Sequence, residues 1–526
     1  MRARKEPALL HQFLVETSRT HGRAVAILDD DRATTFDQLV EQAISLAATL
    51  AERGLGKGDR VALLMPKSTE AIISLFATLL VGGIYVPLEP RWPAERIESS
   101  LADCTPRFVV MQDQGNRTHR IHALSSIVEV PGGSPLIVDM LTRQSLLWQE
   151  ALAGGCSRLA DTGIAPEDPA LILFTSGSTG RPKGVTLSHK AVAAFVQWSA
   201  QECAITAQDR LGCPSSLNFD LSTFDIFNMA LRGATCVIVP EQIVWLPRFL
   251  VQFMRAQRIT AWYCVPSMLS VLLAERAFVQ GRFPDLRLAI FAGEVLPGRD
   301  VARLRTVVPG AAVYNFYGPT ETNVVTWYRV PEEFAPDRPV PIGSACPYAE
   351  LMLDPESVEA GEEEVTGDLL VAGDSLMLGY WNRPGETGKA FVDSAPDGAS
   401  CKRFYRTGDR VSLDAAAGRY TFVGRKDRQV KRLGYRVELG EIENALRTHA
   451  GILESAVIAV QDRDARTRIV AFVHADPLVP VSVAEIRTHC TQRLPAYMMP
   501  DQISFVSAMP KSSRGKTDYA ALAAMA

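Results

Sequence analysis

The stretch LILFTSGSTGRPKGVTLSH, residues 171–189 of the 526-residue chain, decides the fold class. An apolar run, typical of a buried strand, opens directly into a loop of glycine, serine and threonine. Such a loop suits phosphate, because glycines let the backbone approach closely, hydroxyl and amide groups donate hydrogen bonds, and a lysine supplies positive charge. It is not a Walker A motif, since GxxxxGK[ST] cannot be placed on these glycines. A flexible loop would explain the glycines but hardly the whole ordered string, so we expect phosphate contacts from Thr175, Ser176, Gly177, Ser178, Thr179, Gly180 and Lys183.

Helical and extended patterns alternate outward from this loop. Apolar residues recur at helical spacing from Phe36 to Leu50 and stop at Gly54, while residues 60–65 and 261–265 have the pattern of buried strands. Alternation of this kind is typical of a layered α/β fold with substantially parallel sheets. The sequence therefore predicts that the bulk of the chain is a layered α/β lobe.

The pattern of the sequence changes near residue 360, where short strand patterns and glycine-rich turns predict a β-rich subdomain. The basic stretch GRKDRQVKRLG at 424–434 then precedes a new strand–helix pattern. We place a linker or hinge at Asp427. The predicted organisation is a large N-terminal lobe, residues 1–426, and a small α+β C-terminal lobe, residues 427–526.

Composition limits the class of partner. With 47% hydrophobic and 22% charged residues, the chain is an ordinary globular protein with enough apolar residues for a substantial core. Its 55 Lys plus Arg against 59 Asp plus Glu give a net charge of −4, so no chain-wide basic field exists to hold nucleic acid or anionic lipid. We expect neither a nucleic acid nor a membrane as partner.

Cysteine use and the longest uncharged stretch bear on location. Nine cysteines without a CxxC pair predict reduced, mostly buried thiols and a cytoplasmic protein. The uncharged stretch 71–88 just meets the length of a spanning helix, but glycines and a proline interrupt it. We predict instead a buried helix over 68–81 that turns at Gly82-Gly83 into a short strand. The N-terminal apolar run is broken by His11, so no signal peptide is expected.

A set of motifs in fixed order carries a resemblance. They are TSGSTGRPKGV (175–185), YGPTETN (317–323), YRTGD (405–409), GRKDRQVKRLGYRVELGEIE (424–443) and PKSSRGKTD (510–518), with weaker matches YVPLEP (85–90) and GDLLVAGDSLMLGYW (367–381). The chain resembles the adenylation domains of nonribosomal peptide synthetases, in the adenylate-forming superfamily that also contains acyl-CoA synthetases and luciferases. The resemblance covers nearly the whole chain.

The resemblance implies two half-reactions: a carboxylate attacks the α-phosphate of ATP and releases pyrophosphate, and the acyl adenylate then passes to a thiol. ATP and Mg²⁺ are the implied cofactors, and Glu321 is the implied metal ligand, a hard oxygen donor for a hard cation. By motif position, Tyr317 stacks on adenine and Asn315 reaches its edge, while Asp409 holds the ribose hydroxyls with Arg425 nearby. The other implied nucleotide contacts are Gly293, Glu294, Gly318 and Thr320.

The resemblance also implies that the small lobe moves. Lys516 is the implied catalytic residue, because its ammonium can neutralise charge between the substrate carboxylate and the α-phosphate. It lies on the small lobe, whereas Glu321 and the phosphate loop lie on the large one. In this superfamily the small lobe rotates about a residue at the position of Asp427, which removes the lysine and brings the 424–434 segment to a thiol tunnel. Gly434, without a side chain, is placed to let a pantetheine arm pass.

Asp220, in LNFDLSTFDIF at 217–227, indicates the substrate class. Amino-acid-activating members carry a carboxylate there to pair with the α-ammonium, and a buried aspartate without that partner would be costly. By the same mapping, Lys516 completes a pocket lined by Leu221, Phe224, Tyr263, Ile290, Ala292, Phe316, Val324 and Val325. The lining is apolar and resembles that of free-standing enzymes that activate L-proline. We expect L-proline, with valine or alanine as alternatives.

The chain ends ten residues after Lys516, so we expect the thiol to come from a separate phosphopantetheinylated carrier protein. GGCS at 154–157 only faintly resembles a phosphopantetheine attachment site, and we expect a surface turn there. Two alternatives are an acid–CoA ligase, disfavoured by Asp220, and an adenylate-binding protein without catalysis. The joint presence of the implied nucleotide, metal and lysine residues disfavours the second.

Overall fold

The computed structural model describes residues 8–112, 135–153, 162–177, 181–361, 364–394, 401–461, 467–511 and 516–526. In this part of the chain the fold is mixed α/β, with a large N-terminal lobe, a β-rich subdomain and a small C-terminal lobe, which confirms the predicted fold class. The helices are α1 (Leu10–His21), α2 (Phe36–Glu52), α3 (Thr69–Leu80), α4 (Ala94–Cys104), α5 (Trp148–Ala153), α6 (His189–Glu202), α7 (Ser222–Arg232), α8 (Pro247–Ala256), α9 (Pro266–Leu273), α10 (Gly298–Val307), α11 (Pro384–Ala390), α12 (Leu439–Arg447), α13 (Val483–Thr491) and α14 (Tyr519–Ala524).

The first large sheet carries most of the candidate site. Its order is β16 (Ser344–Ala345), β15 (Thr326–Arg329), β14 (Ala312–Tyr317), β13 (Leu288–Phe291), β12 (Ala261–Cys264), β10 (Arg210–Cys213), β11 (Thr235–Ile238), β1 (Val25–Asp29) and β2 (Arg32–Thr35). The strands from β14 to β1 run parallel, and antiparallel strands close both edges. The carboxyl ends of β12, β13 and β14 therefore meet at one edge, where ligands of open α/β sheets bind.

The second large sheet carries the phosphate loop. Its order is β20 (Gly379–Tyr380), β9 (Lys183–Ser188), β8 (Pro169–Thr175), β4 (Ile84–Leu88), β3 (Arg60–Leu64), β5 (Phe108–Met111), β6 (Leu136–Asp139) and β7 (Ser145–Leu147). Strands β8, β4, β3 and β5 are parallel, whereas β8 and β9 are antiparallel and joined by the loop.

Helix α3 is largely buried, as the stretch 71–88 predicts, and it packs against β3 and β4 of the second sheet and β1 of the first. Ser68 caps its first turn, since the side chain accepts a hydrogen bond from the backbone N–H of Ala71. The chain leaves the helix through Gly82, whose φ is +79°, and enters β4. Among the described residues, no helix combines the length and apolar character needed to cross a bilayer.

The β-rich subdomain and the small lobe follow. The subdomain consists of β17 (Ala349–Leu353), β18 (Glu359–Ala360), β19 (Val365–Gly373), β21 (Phe391–Ser394), β22 (Lys402–Asp414) and β23 (Arg419–Arg425), all antiparallel. The small lobe has a hairpin, β24 (Gln429–Arg432) and β25 (Tyr435–Glu438), and a sheet of β26 (Ile452–Gln461), β27 (Thr467–Ala475) and β28 (Gln502–Phe505).

The hydrophobic clusters separate along the chain. Each cluster of the large lobe and the β-rich subdomain takes its residues from before Asp427, and each cluster of the small lobe takes its residues from after it. Seven of the eight described cysteines are buried, as predicted, and Cys401 is exposed. The boundary at Asp427 stays a prediction, and residues 154–157 lie outside the described part of the chain.

Candidate active site

A cavity lies at the carboxyl ends of β12, β13 and β14 and is covered by the β24–β25 hairpin of the small lobe. In this orientation of the small lobe the cavity is small, at about 50 Å³. The lining residues are Phe219, Asp220, Leu221, Tyr263, Ala292, Gly293, Gly318, Pro319, Thr320, Asn323, Val324, Asp409 and Arg425 of the large lobe and Gln429, Lys431, Gly434 and Arg436 of the small one. Both lobes therefore build one site.

Asp220 opens into this cavity from the turn before α7. Its backbone carbonyl accepts hydrogen bonds from Thr223, whose hydroxyl oxygen lies 2.6 Å away, which fixes the turn. Burial raises the pKa of the Asp220 carboxyl to about 6, although Thr320 and the charge of Lys431 act in the opposite direction. A carboxylate short of solvent in a cavity is suited to accept hydrogen bonds from a cationic ligand.

Of the residues predicted to form the substrate pocket, some line the cavity and others are buried outside its lining. Leu221, Tyr263, Ala292 and Val324 line the cavity. Phe224, Ile290, Phe316 and Val325 are buried and absent from the lining. The ring of Tyr263 lies 5.2 Å from that of Phe224 and 6.0 Å from that of Phe316, so the two phenylalanines fix the tyrosine against the cavity.

Three of the residues predicted to hold the nucleoside, Tyr317, Asp409 and Arg425, form one hydrogen-bonded group. Arg425 bonds the Asp409 carboxylate, and the hydroxyl of Tyr317 donates to the other oxygen of Asp409. The side chain of Asn315 donates to the carbonyls of Val340 and Pro341, at 3.3 and 2.8 Å. Asp409 is only 1% exposed, and the bonds from Arg425 and Tyr317 hold its carboxylate at the wall of the cavity. Its binding of ribose stays a prediction.

The glycines of the site have tight surroundings. A Cβ on Gly318 would lie 1.7 Å from the Asn323 carbonyl oxygen, and one on Gly177 would lie 2.1 Å from the Arg181 carbonyl oxygen. Gly293, with φ at +90°, lines the cavity. The backbone at these positions therefore requires glycine, as expected where a ligand approaches the main chain.

Glu294 lies against the hairpin. Its carboxylate accepts hydrogen bonds from the backbone N–H of Gly434 at 2.7 Å and of Ser267 at 2.8 Å. In this arrangement Glu294 connects the large lobe to the hairpin turn. Its contact with the nucleotide stays a prediction.

Only part of the phosphate loop is described, since Ser178, Thr179 and Gly180 lie outside the described residues. Thr175 ends β8 and Lys183 begins β9, where its Nζ lies 2.9 Å from Glu386 and 5.1 Å from the ring centroid of Tyr380. Ser176 donates its hydroxyl to the backbone carbonyl of Arg436 at 2.7 Å. The small lobe therefore touches the loop directly.

Glu321, the predicted metal ligand, is 1% exposed and paired with Arg436. One Nη of Arg436 lies 2.9 and 2.8 Å from the two carboxylate oxygens, and the hydroxyl of Tyr380 donates to Oε1 at 2.8 Å. Burial would raise the pKa of Glu321, but Arg436 outweighs it and the pKa is lowered.

A magnesium ion fits this donor. Among the described residues no group of three or more His, Cys, Asp or Glu side chains could hold a metal ion by itself. Mg²⁺ is commonly bound by one or two carboxylates together with substrate phosphates and water. A buried carboxylate without Arg436 would also need a cation beside it.

Lys516 does not reach the cavity in this orientation of the small lobe. It is exposed, lies three residues before α14, and does not line the site. The predicted hinge residue, Asp427, accepts hydrogen bonds from Nε and Nη2 of Arg425, at 2.7 and 2.8 Å, and from the backbone N–H of Gln429. The hairpin covers the cavity in which Lys516 is predicted to act. If the enzyme uses both, the hairpin and Lys516 must therefore occupy the cavity at different times.

Gly434 forms the turn of the hairpin with Leu433, and both have positive φ, +79° and +53°. A Cβ on Gly434 would lie 2.3 Å from Cγ1 of Val265 and 3.4 Å from the ring of Phe219. A second cavity on the other side of Phe219 and Val265 is also lined by Leu433, Tyr435 and the exposed Trp245. Gly434 lines the first cavity and Leu433 the second, so the turn borders both, and a thiol arm is predicted to pass at Gly434.

Sequence reasoning missed the hairpin's inward side chains, Gln429, Lys431 and Arg436. Lys431 places Nζ 5.6 Å from the ring centroid of Tyr317, and burial lowers its pKa. The signal for these residues was their alternation in QVKRLGYRVE around Leu433-Gly434, which is the pattern of a two-residue hairpin rather than of a linker.

Comparison with known families agrees with this geometry. Residues 14–381 match the AMP-binding enzyme family, and residues 441–516 match the AMP-binding enzyme C-terminal domain. The first match covers well over half of the chain. The chain therefore belongs to the AMP-binding enzyme family.

Similar proteins extend over nearly the full length. An L-proline–[L-prolyl-carrier protein] ligase from Streptomyces coelicolor is 36% identical over 515 residues, which are 96% of this chain and 94% of that protein. A ligase of the same name from Pseudomonas fluorescens is 33% identical, over 98% of this chain and 99% of its own. The solved structure of holo-PA1221, a nonribosomal peptide synthetase protein containing adenylation and PCP domains, has a TM-score of 0.81 and 25% identity, covering 98% of this chain and 84% of that one.

Proposed function

We propose that this protein is an ATP-dependent amino-acid ligase that converts L-proline to prolyl-AMP and transfers the prolyl group to the phosphopantetheine thiol of a separate carrier protein. The observation that carries the proposal is the Asp220 carboxylate, which lines the same cavity as the uncharged Leu221, Tyr263, Ala292 and Val324 and as the Asp409–Arg425 pair. The carrier-protein ligases at 36% and 33% identity support both the substrate and the acceptor.

In the first half-reaction an oxygen of the proline carboxylate attacks the α-phosphorus of ATP, and the bond from that phosphorus to the bridging oxygen breaks to release pyrophosphate. Asp220 pairs with the secondary ammonium, and Asp409 holds the ribose. Lys516, after the small lobe has rotated about Asp427, places its ammonium between the carboxylate and the α-phosphate. Glu321 would hold Mg²⁺, which when bound would supply positive charge for the phosphates.

In the second half-reaction the thiol loses its proton and its sulfur attacks the acyl carbon. AMP leaves as the bond between the acyl carbon and the phosphate oxygen breaks. The described orientation fits this step, because Lys516 is outside and the turn at Gly434 lies between the cavity and the surface. The hairpin covers the cavity and so limits the access of water to the adenylate.

The wall of the cavity supports L-proline over other amino acids. Leu221, Tyr263, Ala292 and Val324 line the cavity without a formal charge among them, and they would face the three ring methylenes of proline. Phenylalanine is too large because Phe224 and Phe316 prevent Tyr263 from withdrawing. Valine matches proline in bulk but branches at Cβ, and alanine fills the space poorly at about 1–3 kcal/mol for each missing methylene.

Amino-acid-dependent ATP–pyrophosphate exchange over a substrate panel tests the substrate. We expect the highest specificity constant for L-proline, then valine and alanine, with phenylalanine and charged amino acids far below. A higher constant for valine or for a charged amino acid would overturn the assignment of the pocket while leaving the adenylation chemistry intact.

Intact-protein mass spectrometry tests the acceptor. We expect the prolyl group on a phosphopantetheinylated carrier protein added in trans, and none on the same carrier without its arm. Free coenzyme A acylated as efficiently as every carrier offered would favour the acid–CoA ligase. A cytoplasmic location, inferred from the buried and unpaired cysteines, also remains our proposal.

A further inference from the structure

The wall of the cavity at Val324 is held through its own backbone. Val324 lines the cavity and is 6% exposed. Its backbone N–H donates to Oδ1 of Asn323 at 2.7 Å, and its carbonyl accepts a hydrogen bond from the hydroxyl of Tyr348, also at 2.7 Å. Val324 lies two residues before β15, so side chains rather than a neighbouring strand bond both of its backbone groups.

Tyr348 lies in the turn between β16 and β17 and connects this wall to the β-rich subdomain. The turn contacts the wall segment a second time, because the backbone N–H of Cys346 donates to the carbonyl of Val325 at 2.8 Å. The carbonyl of Tyr348 accepts from the backbone N–H of Asp374, directly after β19, at 3.0 Å. Two consecutive carbonyls of the wall segment are therefore bonded from one turn.

The ring of Tyr348 is packed behind the same wall. Its centroid lies 5.9 Å from that of Trp198 in α6, with the ring planes at 73°, and the centroid of Trp198 lies 5.2 Å from that of Phe316. Such edge-to-face packing restrains the ring and with it the direction of the hydroxyl. Tyr348 is absent from the cavity lining, so its effect on a substrate passes through Val324.

Loss of the Tyr348 hydroxyl would release the wall. A buried carbonyl without a donor is unfavourable, and the backbone shifts to find another partner. Because protein interiors are close-packed, a shift of the wall by about one methylene group changes the size of ligand that fits. The position of Val324 therefore depends on a group that lies outside the cavity lining.

We propose that Tyr348 is a positioning residue that fixes the wall at Val324 and thereby sets the ring size of the amino acid that the cavity accepts. The proposal rests on the proposed function, because it assigns selectivity among cyclic amino acids to this wall. L-Pipecolic acid is the diagnostic competitor, since its ring has the same secondary amine as proline and one methylene more. Wild type should prefer L-proline over it by at least about tenfold in specificity constant.

Tyr348→Phe tests the proposal, because it keeps the ring and removes only the hydroxyl. ATP–pyrophosphate exchange should show the ratio of the specificity constants for L-proline and L-pipecolic acid falling about 3- to 10-fold, the range expected for one lost hydrogen bond. The Michaelis constant for proline should rise, while the maximal rate and the Michaelis constant for ATP stay within about twofold of wild type. A general folding defect would lower the maximal rate for both amino acids and leave their ratio unchanged.

Tyr314→Phe is the matched control. The ring of Tyr314 lies 5.9 Å from that of Phe316, in the same aromatic cluster, but its hydroxyl donates to the Glu202 carboxylate at the end of α6, at 3.2 Å. Both substitutions remove one tyrosine hydroxyl from this cluster and should lower the midpoint of thermal unfolding to a similar, small extent. Tyr314→Phe should keep the wild-type ratio of specificity constants, because its hydroxyl does not bond the wall.

The proposal is wrong if Tyr348→Phe keeps the wild-type ratio, or if Tyr314→Phe lowers the ratio to the same extent. Failure of the proposed function would appear separately, as absence of exchange with every amino acid in the wild-type protein.

Discussion

Gly434→Ala should separate the two half-reactions. The glycine turns the hairpin at φ of +79° and faces Val265, whose Cγ1 would lie 2.3 Å from an added Cβ and whose Cβ would lie at 3.2 Å. Val265 is a short, branched side chain, 5% exposed, directly before α9, and it has little room to withdraw. The substitution therefore opposes docking of the small lobe, whereas adenylation is expected to use the other orientation.

Two costs of the substitution must be kept apart. Left-handed backbone costs alanine about 1–2 kcal/mol, but this belongs to the turn itself and is shared by both orientations. The contact with Val265 exists only in the docked orientation, and overpacking of this kind costs about 1–3 kcal/mol. The transfer rate should therefore fall by about 5- to 150-fold, while exchange changes little and the unfolding free energy falls by about 1–2 kcal/mol.

The assay measures amino-acid-dependent exchange and single-turnover transfer of supplied prolyl adenylate to the carrier protein. Gly418→Ala is the matched control, because Gly418 has φ of +59° with no atom within 4 Å of an added Cβ. It should show the stability loss without the transfer defect. Adding Val265→Ala to Gly434→Ala should recover part of the transfer rate. Equal loss of exchange and transfer in Gly434→Ala, or no loss of transfer, would refute this reasoning.

Two further outcomes are expected from the site. Lys516→Ala should lose exchange by about 10²- to 10³-fold yet keep most transfer of supplied prolyl adenylate, and an equal loss in both would contradict separate roles for the orientations. The Michaelis constant for proline should rise as pH falls through about 6, because burial raises the pKa of Asp220 to about 6 and only the ionised carboxylate pairs with the ammonium. In Asp220→Asn that constant should be high and should not follow this titration.

Much of the large lobe could be predicted from the sequence, because local sequence patterns agree with the tertiary structure there. The helix predicted over 68–81 occurs as Thr69–Leu80, with Ser68 as its cap, and the strand predicted at 261–265 occurs as Ala261–Cys264. All four residues of Ala261–Cys264 and ten of the twelve residues of Thr69–Leu80 are buried, so the apolar runs in the sequence determine these segments strongly.

The site was harder to predict from the sequence, because which residues form it depends on how the lobes are oriented. Motif position identified Asp220, Asp409 and Glu321, but no periodicity in the sequence indicates that Arg436 lies on Glu321, 115 residues away. Phe224 and Phe316 were predicted as pocket lining, whereas they lie behind Tyr263. A one-dimensional pattern distinguishes buried from exposed positions more readily than a wall from its support.

Selection for an amino acid over a plain carboxylic acid follows from the charge at Asp220. Burial of the carboxylate in the cavity raises its pKa to about 6, and a secondary ammonium would provide a charged partner there. A cyclic acid that matches proline in shape but lacks nitrogen leaves that charge unpaired, at a cost of about 3–5 kcal/mol. Wild type should therefore prefer proline over cyclopentanecarboxylic acid by roughly two orders of magnitude or more in exchange, and Asp220→Ala should lose most of this preference. Unchanged discrimination in the variant would show that the ammonium is bound elsewhere, because the pocket wall alone cannot distinguish two rings of the same size.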